Sequence, residues 1–352
     1  MARRSKIEIH GDDSLIFFPT IGHFDSTARR WHLAFHGWIF KPETNSLRRA
    51  AAVNMLRHWL GIERASVEGE LFSERLWAFL VDNQPRKAVA VRIGNDSFEL
   101  TPSTPNGHIV DALHLPPEAV EAALLAQAVD DGVSNSNERW LLLDVMMPSG
   151  DPRRIRAALH LLGEQGVSVI SDIDDTIKVT HVHDRAALLR QTFFRDFESV
   201  PGMGELYRRW HAAGAAFHYV SRSPWQLYTP LSEFVTGHGF PAGTFHMRHF
   251  RWKNASTLES DKDGSKKLAV IAEIFANLPR RQFVCVGDSG EHDPEVYAEL
   301  ARRHPAQVKA IYIRCVNGEE PRSARLVRTF AGLPDELWQG FNDPAELSSE
   351  LP

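Results

Sequence analysis

The stretch "VSVISDIDDTIKVT", residues 167–180, decides how the second half of the chain is read. Val167, Val169 and Ile170 belong to a short apolar run, and Asp172, Asp174 and Asp175 follow it at once. A run of that length, ended by polar residues, fits a strand buried on both faces of a parallel sheet. In open parallel sheets ligands bind beyond the carboxyl ends of the strands. The spacing therefore aims Asp172 and Asp174 into a ligand crevice. Two carboxylates buried together are costly unless a cation or a proton compensates. Mg2+, which prefers hard oxygen ligands, meets that need.

Outward from this stretch the same rhythm repeats. Apolar runs at "AAFHYVS", "TFHMR", "QFVCVGD" and "VKAIYIR" alternate with the helical patterns "MGELYRRWHAAG", "PWQLYTPLSEFVTGHG" and "KKLAVIAEIFANL". That alternation predicts a mainly parallel sheet covered on both faces. One strand ends in Ser221, whose hydroxyl could hold a phosphate oxygen, with Arg222 directly after it. Another ends in Asp288, with Glu291 and Asp293 beyond and Gly287 and Gly290 permitting a tight loop. Lys266 and Lys267 open the helix that leads to the Asp288 strand. An ammonium there could neutralise an anionic substrate.

The first half reads differently. "RWHLAFHGWIF" alternates, with Trp31, Leu33 and Phe35 on one side and His32, Ala34 and His36 on the other. "KAVAVRI", "GND" and "SFELT" read as two strands around a turn, and "RWLLLDVMM", "PSGDP" and "RRIRAALHLL" as another pair. Helices are expected near Leu47 to Leu60 and from "PPEAVEAALLAQAV", where prolines stand at the first turn. Residues 1–162 are thus expected to form a β-rich, sandwich-like domain with helical insertions, and residues 163–352 an α/β domain. Trp31 and Trp38 read as core. Hydrophobic residues make up 43% of the 352 and charged residues 24%, enough for a core in each half. A net charge of −5 gives no reason to expect nucleic acid as a partner. Cys285 and Cys315 are the two cysteines, too few for a disulfide framework and without metal-ligand spacing. "MARRSKIEIHGDDS" lacks an apolar stretch after its basic residues and reads as no signal peptide. No run reaches the roughly 18 apolar residues of a membrane span. A cytoplasmic protein is expected; if it works on a membrane, it visits from the water side, peripherally at the inner face.

Asp-x-Asp-x-Thr, then Ser, then Lys, then Gly-Asp-x-x-x-x-Asp is an order that resembles the haloacid dehalogenase superfamily of phosphohydrolases. Within it, "ISDIDDTIKVT", "VPGM", "FHYVSRSPWQLY" and "VGDSGEHDPEVYAE" look like the actin-patch-type phosphatidate phosphatases and their bacterial relatives. The resemblance covers residues 165–315 and implies a haloacid-dehalogenase-like, Rossmannoid parallel sheet. It makes Asp172 the nucleophile that forms an aspartyl-phosphate. It makes Asp174 the general acid and base, a role that needs a raised pKa or help from the substrate. Asp172, Asp288, Asp293 and the Asp174 backbone carbonyl would hold Mg2+. Ser221 and a lysine, Lys267 rather than Lys266, would hold the phosphoryl group. Arg222 either joins them or pairs with an acidic loop.

Other residues have plainer readings. Asp175 and Thr176 are expected to fix the loop. His181 and His183 share one side of an extended segment, but a zinc site needs further ligands that are not nearby in sequence. Leu188, Leu189, Phe193, Phe194 and Phe197 could rim an open site suited to a membrane-embedded phosphate, or could pack on the sheet. The expected activity is Mg2+-dependent hydrolysis of phosphatidate or a related phosphorylated lipid. The alternatives are a soluble phosphomonoester or phosphoprotein as substrate, and a membrane- or partner-binding role of the β-rich domain. The sequence leaves the oligomeric state open.

Overall fold

Alternating apolar side chains build the first half of the chain, and continuous apolar runs build the second. The computed structural model describes residues 8–41, 75–131, 139–180, 195–249 and 264–352. It divides into two units at Gly163, with Arg75 grouped with the second. The helix expected near Leu47 to Leu60 lies outside the described residues.

In the first unit, β1 (Ser14–Phe18) and β2 (Thr20–Asp25) lead to the long β3 (Arg30–Lys41). β3 pairs antiparallel with β1, β2, β4 (Asp82–Asn83) and β7 (His108–Leu115). Trp31, Leu33 and Phe35 are buried, while His32, Ala34 and His36 face the other way and are partly exposed. β5 (Ala90–Ile93) and β6 (Asp96–Glu99) form a separate hairpin. The helix α1 (Pro117–Asp131) starts at the prolines. β8 (Trp140–Asp144) and β9 (Arg156–Leu162) pair antiparallel, and β9 extends the sheet beside β2. One core joins Leu33, Phe35, Val91, Val120, Leu141 and Leu159 from sheet, hairpin and helix. Each such side chain stabilises by about 1.5–3 kcal/mol, measured against an extended chain.

The second unit is a six-stranded sheet in which every pairing is parallel. Its strands are β10 (Val167–Ser171), β11 (Ala216–Pro224), β12 (Gly243–Arg248), β13 (Gln282–Asp288), β14 (Val308–Arg314) and β15 (Trp338–Phe341). Their spatial order is β12-β11-β10-β13-β14-β15. The helices are α2 (Met203–Ala212), α3 (Tyr228–Gly237), α4 (Ser265–Asn277), α5 (Asp293–Arg303) and the short α6 (Ala324–Thr329). The chain winds outward from β10 through β11 to β12, then returns to β13 on the other side of β10. That reversal leaves a crevice at the carboxyl ends of β10, β11 and β13, where such sheets bind ligands. Val169, Ile170, Val284 and Val286 are fully buried, as strands covered on both faces require.

Candidate active site

The loop after β10 is a tight turn closed on itself. Ile177 and Lys178 donate backbone N–H groups to the Ile173 carbonyl, and Ile173 and Ile177 anchor the turn in the core. Asp175 adopts a left-handed backbone, φ 53°, and its carboxylate accepts the Thr180 N–H at 2.8 Å. Asp175 therefore shapes the loop, and Arg314 holds it from outside by donating to its carbonyl at 2.6 Å. Thr176 does something other than fix backbone: its hydroxyl donates to Asp172 Oδ2 at 3.2 Å.

Asp172 extends the sheet, donating its N–H to the Val286 carbonyl at 2.9 Å, and its side chain is buried. Lys267, from the first turn of α4, reaches Asp172 Oδ1 at 2.7 Å and Asp293 Oδ1 at 2.5 Å. Lys267 is buried and Lys266 is exposed, so helix rotation places only the former against the aspartates. Asp293 opens α5, and its Oδ2 accepts the Asp288 N–H at 3.3 Å. This close approach explains Gly287. A Cβ there would stand 2.6 Å from Asp293 Cβ and 2.7 Å from its Cγ, where no side chain fits. Asp288 Oδ1 accepts the N–H groups of Gly290 at 2.6 Å and Glu291 at 3.2 Å. Arg325 braces the same loop, donating to the carbonyls of Ser289 and Glu291.

Asp174 sits in different company. Its Oδ1 lies 2.7 Å from Lys178 Nζ and accepts the Thr180 hydroxyl at 3.0 Å. Its Oδ2 accepts the hydroxyls of Ser223 at 3.2 Å and Ser221 at 3.4 Å. Lys178 is 2% exposed, with its ammonium 4.7 Å from the Phe197 ring. Arg222 pairs with Glu291 at 3.0 Å, so of its two expected partners the structure shows the acidic loop.

These surroundings push the carboxyls apart. Burial, then the charges of Asp293, Asp288 and Glu291, raise Asp172 well above the carboxylate range despite Lys267. Burial with Asp293 and Glu291 raises Asp288 in the same way. For Lys267, burial favours the neutral amine, but Asp172 and Asp293 outweigh it and keep the ammonium charged. For Asp174, burial opposes ionisation, yet Lys178 and the hydroxyls of Thr180 and Ser223 win, and its pKa is lowered. The raised pKa that a resting general acid would need is therefore absent from Asp174.

Asp172, Asp288 and Asp293 bring carboxylate oxygens within 4.8 Å of one another, all buried. Asp288 Oδ2 is buried without a hydrogen-bond partner. With Glu291 the cluster has four carboxylates against the two cations Lys267 and Arg222. The imbalance of two charges, the hard oxygen donors and the orphaned acceptor all fit one divalent cation. The Asp174 carboxylate is not part of this group, being taken by Lys178.

Asp172, Asp174, Ser221, Lys267, Asp288 and Asp293 thus meet at the carboxyl ends of β10, β11 and β13, with Arg222 at their edge. Sequence reasoning missed Lys178, Ser223 and Arg325. The "SRSP" wording carries a hydroxyl two places after Ser221 and could have pointed to Ser223. Phe197 is buried against Arg75 and Lys178 and is not part of an exposed rim. His181, His183, Leu188, Leu189, Phe193 and Phe194 lie outside the described residues.

Residues 167–315 match the family model described as Phosphatidate phosphatase APP1, catalytic domain. Phosphatidate phosphatase APP1 of Saccharomyces cerevisiae is 40% identical over 169 residues, 47% of this chain and 28% of the yeast protein. An uncharacterized protein of Schizosaccharomyces pombe is 29% identical over 205 residues, 56% of this chain and 34% of its own length. The chain therefore spans about a third of the length of these curated relatives. Among solved structures, D,D-heptose 1,7-bisphosphate phosphatase from Burkholderia thailandensis is 14% identical, covering 51% of this chain and 93% of that one. Its TM-score of 0.24 is too low to support an inference.

Proposed function

We propose that this chain, whose residues 167–315 match the APP1 phosphatidate phosphatase catalytic-domain model, hydrolyses the phosphate monoester of phosphatidate or a related lipid phosphate with Mg2+ bound. The observation that carries this reading is the buried Asp172, Asp288 and Asp293 cluster against Lys267, with one carboxylate oxygen left without a donor. Those three side chains and the Asp174 carbonyl would hold the ion. When bound, it would offset the charge of the cluster and of the phosphate, and draw electron density from the phosphoryl oxygens.

The chain's own residues supply the rest. Lys267 and Thr176 hold the two oxygens of Asp172 and fix its orientation. Asp172 attacks phosphorus, an Asp172–O–P bond forms, and the bond from phosphorus to the glycerol oxygen breaks. Asp174 gives that oxygen a proton, so diacylglycerol leaves as the alcohol. Water then attacks phosphorus, Asp174 takes its proton, the Asp172–O–P bond breaks, and phosphate leaves. Ser221, Lys267 and Arg222 hold the phosphoryl oxygens, where charge shifts in the transition state. Arg222 would exchange Glu291 for phosphate. Since Asp174 rests ionised, the proton for the first step arrives with the substrate, whose phosphate monoanion carries one. The lowered pKa suits Asp174 better to the second step, as base toward water.

Among the described residues no helix is long and apolar enough to cross a membrane. We place the encounter with lipid at a membrane surface, reached from the aqueous side. The test is phosphate release from phosphatidate in mixed micelles and from an aryl phosphate, with and without Mg2+. Mg2+-dependent release from both, with phosphatidate preferred, is expected. Turnover of the aryl phosphate alone would move the reading to a soluble phosphomonoester. No Mg2+-dependent release from either would remove it.

A further inference from the structure

One buried side chain of the catalytic unit comes from far upstream in the chain. Arg75 belongs to that unit although it stands 120 residues before Arg195, the residue it bonds. Its Nη1 donates to the Arg195 carbonyl at 2.7 Å, and its guanidinium carbon lies 4.1 Å from the centre of the Phe197 ring. A guanidinium is planar and weakly hydrated, so it can cover a ring and still aim a donor at a neighbouring carbonyl. One residue thus holds both backbone and side chain at the start of segment 195–200.

That segment runs beside the first aspartate loop. Val179 donates its N–H to the Glu198 carbonyl at 2.9 Å, and Val200 donates to the Ile177 carbonyl at 2.8 Å. Between them Lys178 pairs antiparallel with Ser199. These bonds fix the backbone of Lys178, and Phe197 confines its side chain, with the ammonium 4.7 Å from the ring centre. Phe197 is buried and meets Phe234 edge-on at 6.0 Å, so the ring has a wall behind it. The ammonium then reaches Asp174 Oδ1 and Thr180 Oγ1, each at 2.7 Å. Contacts therefore run without a gap from Arg75 through Phe197 and Lys178 to Asp174.

We propose that Arg75 is a positioning residue for the Asp174 carboxylate, acting through Phe197 and Lys178. The inference rests on the phosphatase reading above, because it concerns the group that moves the proton there. Ser223 and Ser221 hold Asp174 Oδ2 at 3.2 and 3.4 Å, whereas Lys178 makes the shorter, charge-assisted contact to Oδ1. A lysine has a long flexible stem and defines no direction by itself. The ring beside it selects one. Arg195 and Asp196 are exposed, so the ring stands at the edge of the unit and needs Arg75 to keep its place. Without the guanidinium the ring gains room, water reaches the ammonium, and Lys178 no longer holds Asp174 in one position. Asp172 is held by Lys267 and Thr176 instead, so the nucleophile and the carboxylate cluster are outside this line of contacts.

The experiment uses the full chain with Mg2+ and follows phosphate release from phosphatidate in mixed micelles and from an aryl phosphate. Arg75→Ala should lower kcat on phosphatidate roughly tenfold, short of the hundredfold that a misplacement of about 1 Å can cost, with KM near that of the parent. The aryl phosphate, whose leaving group needs no proton, should lose less. Arg75→Lys keeps a donor for the Arg195 carbonyl without the planar cover, and should recover part of the rate. In an Asp174→Asn background, Arg75→Ala should cost nothing further on either substrate, since the group it positions no longer carries a proton. A merely structural role would lower both substrates alike and add in full to Asp174→Asn. Parent-like kcat in Arg75→Ala, equal losses on both substrates, or full additivity would each overturn the inference while leaving the phosphatase reading intact. If Arg75→Ala fails to fold by circular dichroism, Arg75→Lys is carried through the same comparisons and decides. A parent chain that releases no phosphate from either substrate would remove the reading, and this inference with it.

Discussion

Asp172 and Asp174 stand two residues apart on one loop, and both are shielded from bulk water. Burial acts on both in the same direction and would keep both protonated. The difference lies in who shares the space. Asp172 meets one lysine, Lys267, but also Asp293, Asp288 and Glu291, and its pKa rises. Asp174 meets its own lysine, Lys178, and donors from Thr180, Ser221 and Ser223, and its pKa falls. One strand end thus presents a carboxyl that lacks positive charge and a carboxylate that has enough. The first is built to be completed by a cation, and the second is complete already. The division comes from who reaches each carboxyl: α4, the loop after β13 and α5 surround Asp172, whereas Lys178 and Thr180 of its own loop and Ser221 and Ser223 of β11 serve Asp174.

Four changes would break or sharpen that contrast. Asp172→Asn should reduce phosphate release on the order of 10⁴-fold or more, because an amide is a poor nucleophile and no other group replaces it. Retained activity within tenfold of the parent would assign the nucleophile elsewhere. The same variant, free of metal, should melt at a higher temperature, since a crowded carboxylate is gone.

Lys178→Met is the converse case. It strands Asp174 without its counter-charge, and loss of one partner from a buried pair costs about 3–5 kcal/mol. Equilibrium denaturation should show that loss, and Asp174→Asn in the Lys178→Met background should restore part of it. An unchanged midpoint would mean that Lys178 contributes nothing to Asp174.

Asp174→Asn alone should slow turnover of an alkyl phosphate by about 10²-fold, within the range for a lost general acid or base. An aryl phosphate, whose leaving group needs no proton, should lose less in the first step. Equal losses on both substrates would count against proton transfer by Asp174 to the leaving group.

The smallest effect is one of pH. In metal-free protein, folded Asp172 and Asp288 keep protons above the ordinary carboxyl pKa near 3.9, where the unfolded chain has released them. The folded state then binds more protons, so stability falls as pH rises through that window, by at most about 1.4 kcal/mol per pH unit for each proton. Asp174 acts oppositely: its contribution is present above about 3.9 and is lost as pH falls through its lower folded value. Metal-free protein should therefore melt at a higher temperature at mildly acidic pH than at neutral pH. Asp172→Asn should flatten the slope, and Mg2+ should remove most of it. A melting temperature that rises steadily from acid to neutral without metal would contradict the raised carboxyls.

How far the sequence reveals this arrangement depends on the range of each contact. The apolar runs ending in Asp172, Ser221 and Asp288 are local patterns, and each proves to be a strand of the parallel sheet. The alternation along β3 likewise separates Trp31, Leu33 and Phe35 from His32 and His36. β15 escapes notice because "WQGF" is four residues long and follows a turn-rich stretch. Lys178 gives no signal in the sequence, since its burial depends on Phe197 and on a carboxylate that could equally have faced solvent. Phe197 stays open between rim and core in the sequence because Arg75, which covers its ring at 4.1 Å, lies far away along the chain. Of the four partners of β3, β2 is its hairpin neighbour, with Asp25 opposite Arg30, but β4 and β7 lie far along the chain, so its place at the middle of a sheet leaves no local trace.

The missing side chain at Gly287 fixes more than its own loop. Because Asp293 occupies the space where a Cβ would stand, the glycine and that aspartate form a single steric unit. A methyl group added at Gly287 would have to push the Asp293 side chain aside, so the backbone at this one position sets where the last acidic group of the cluster stands.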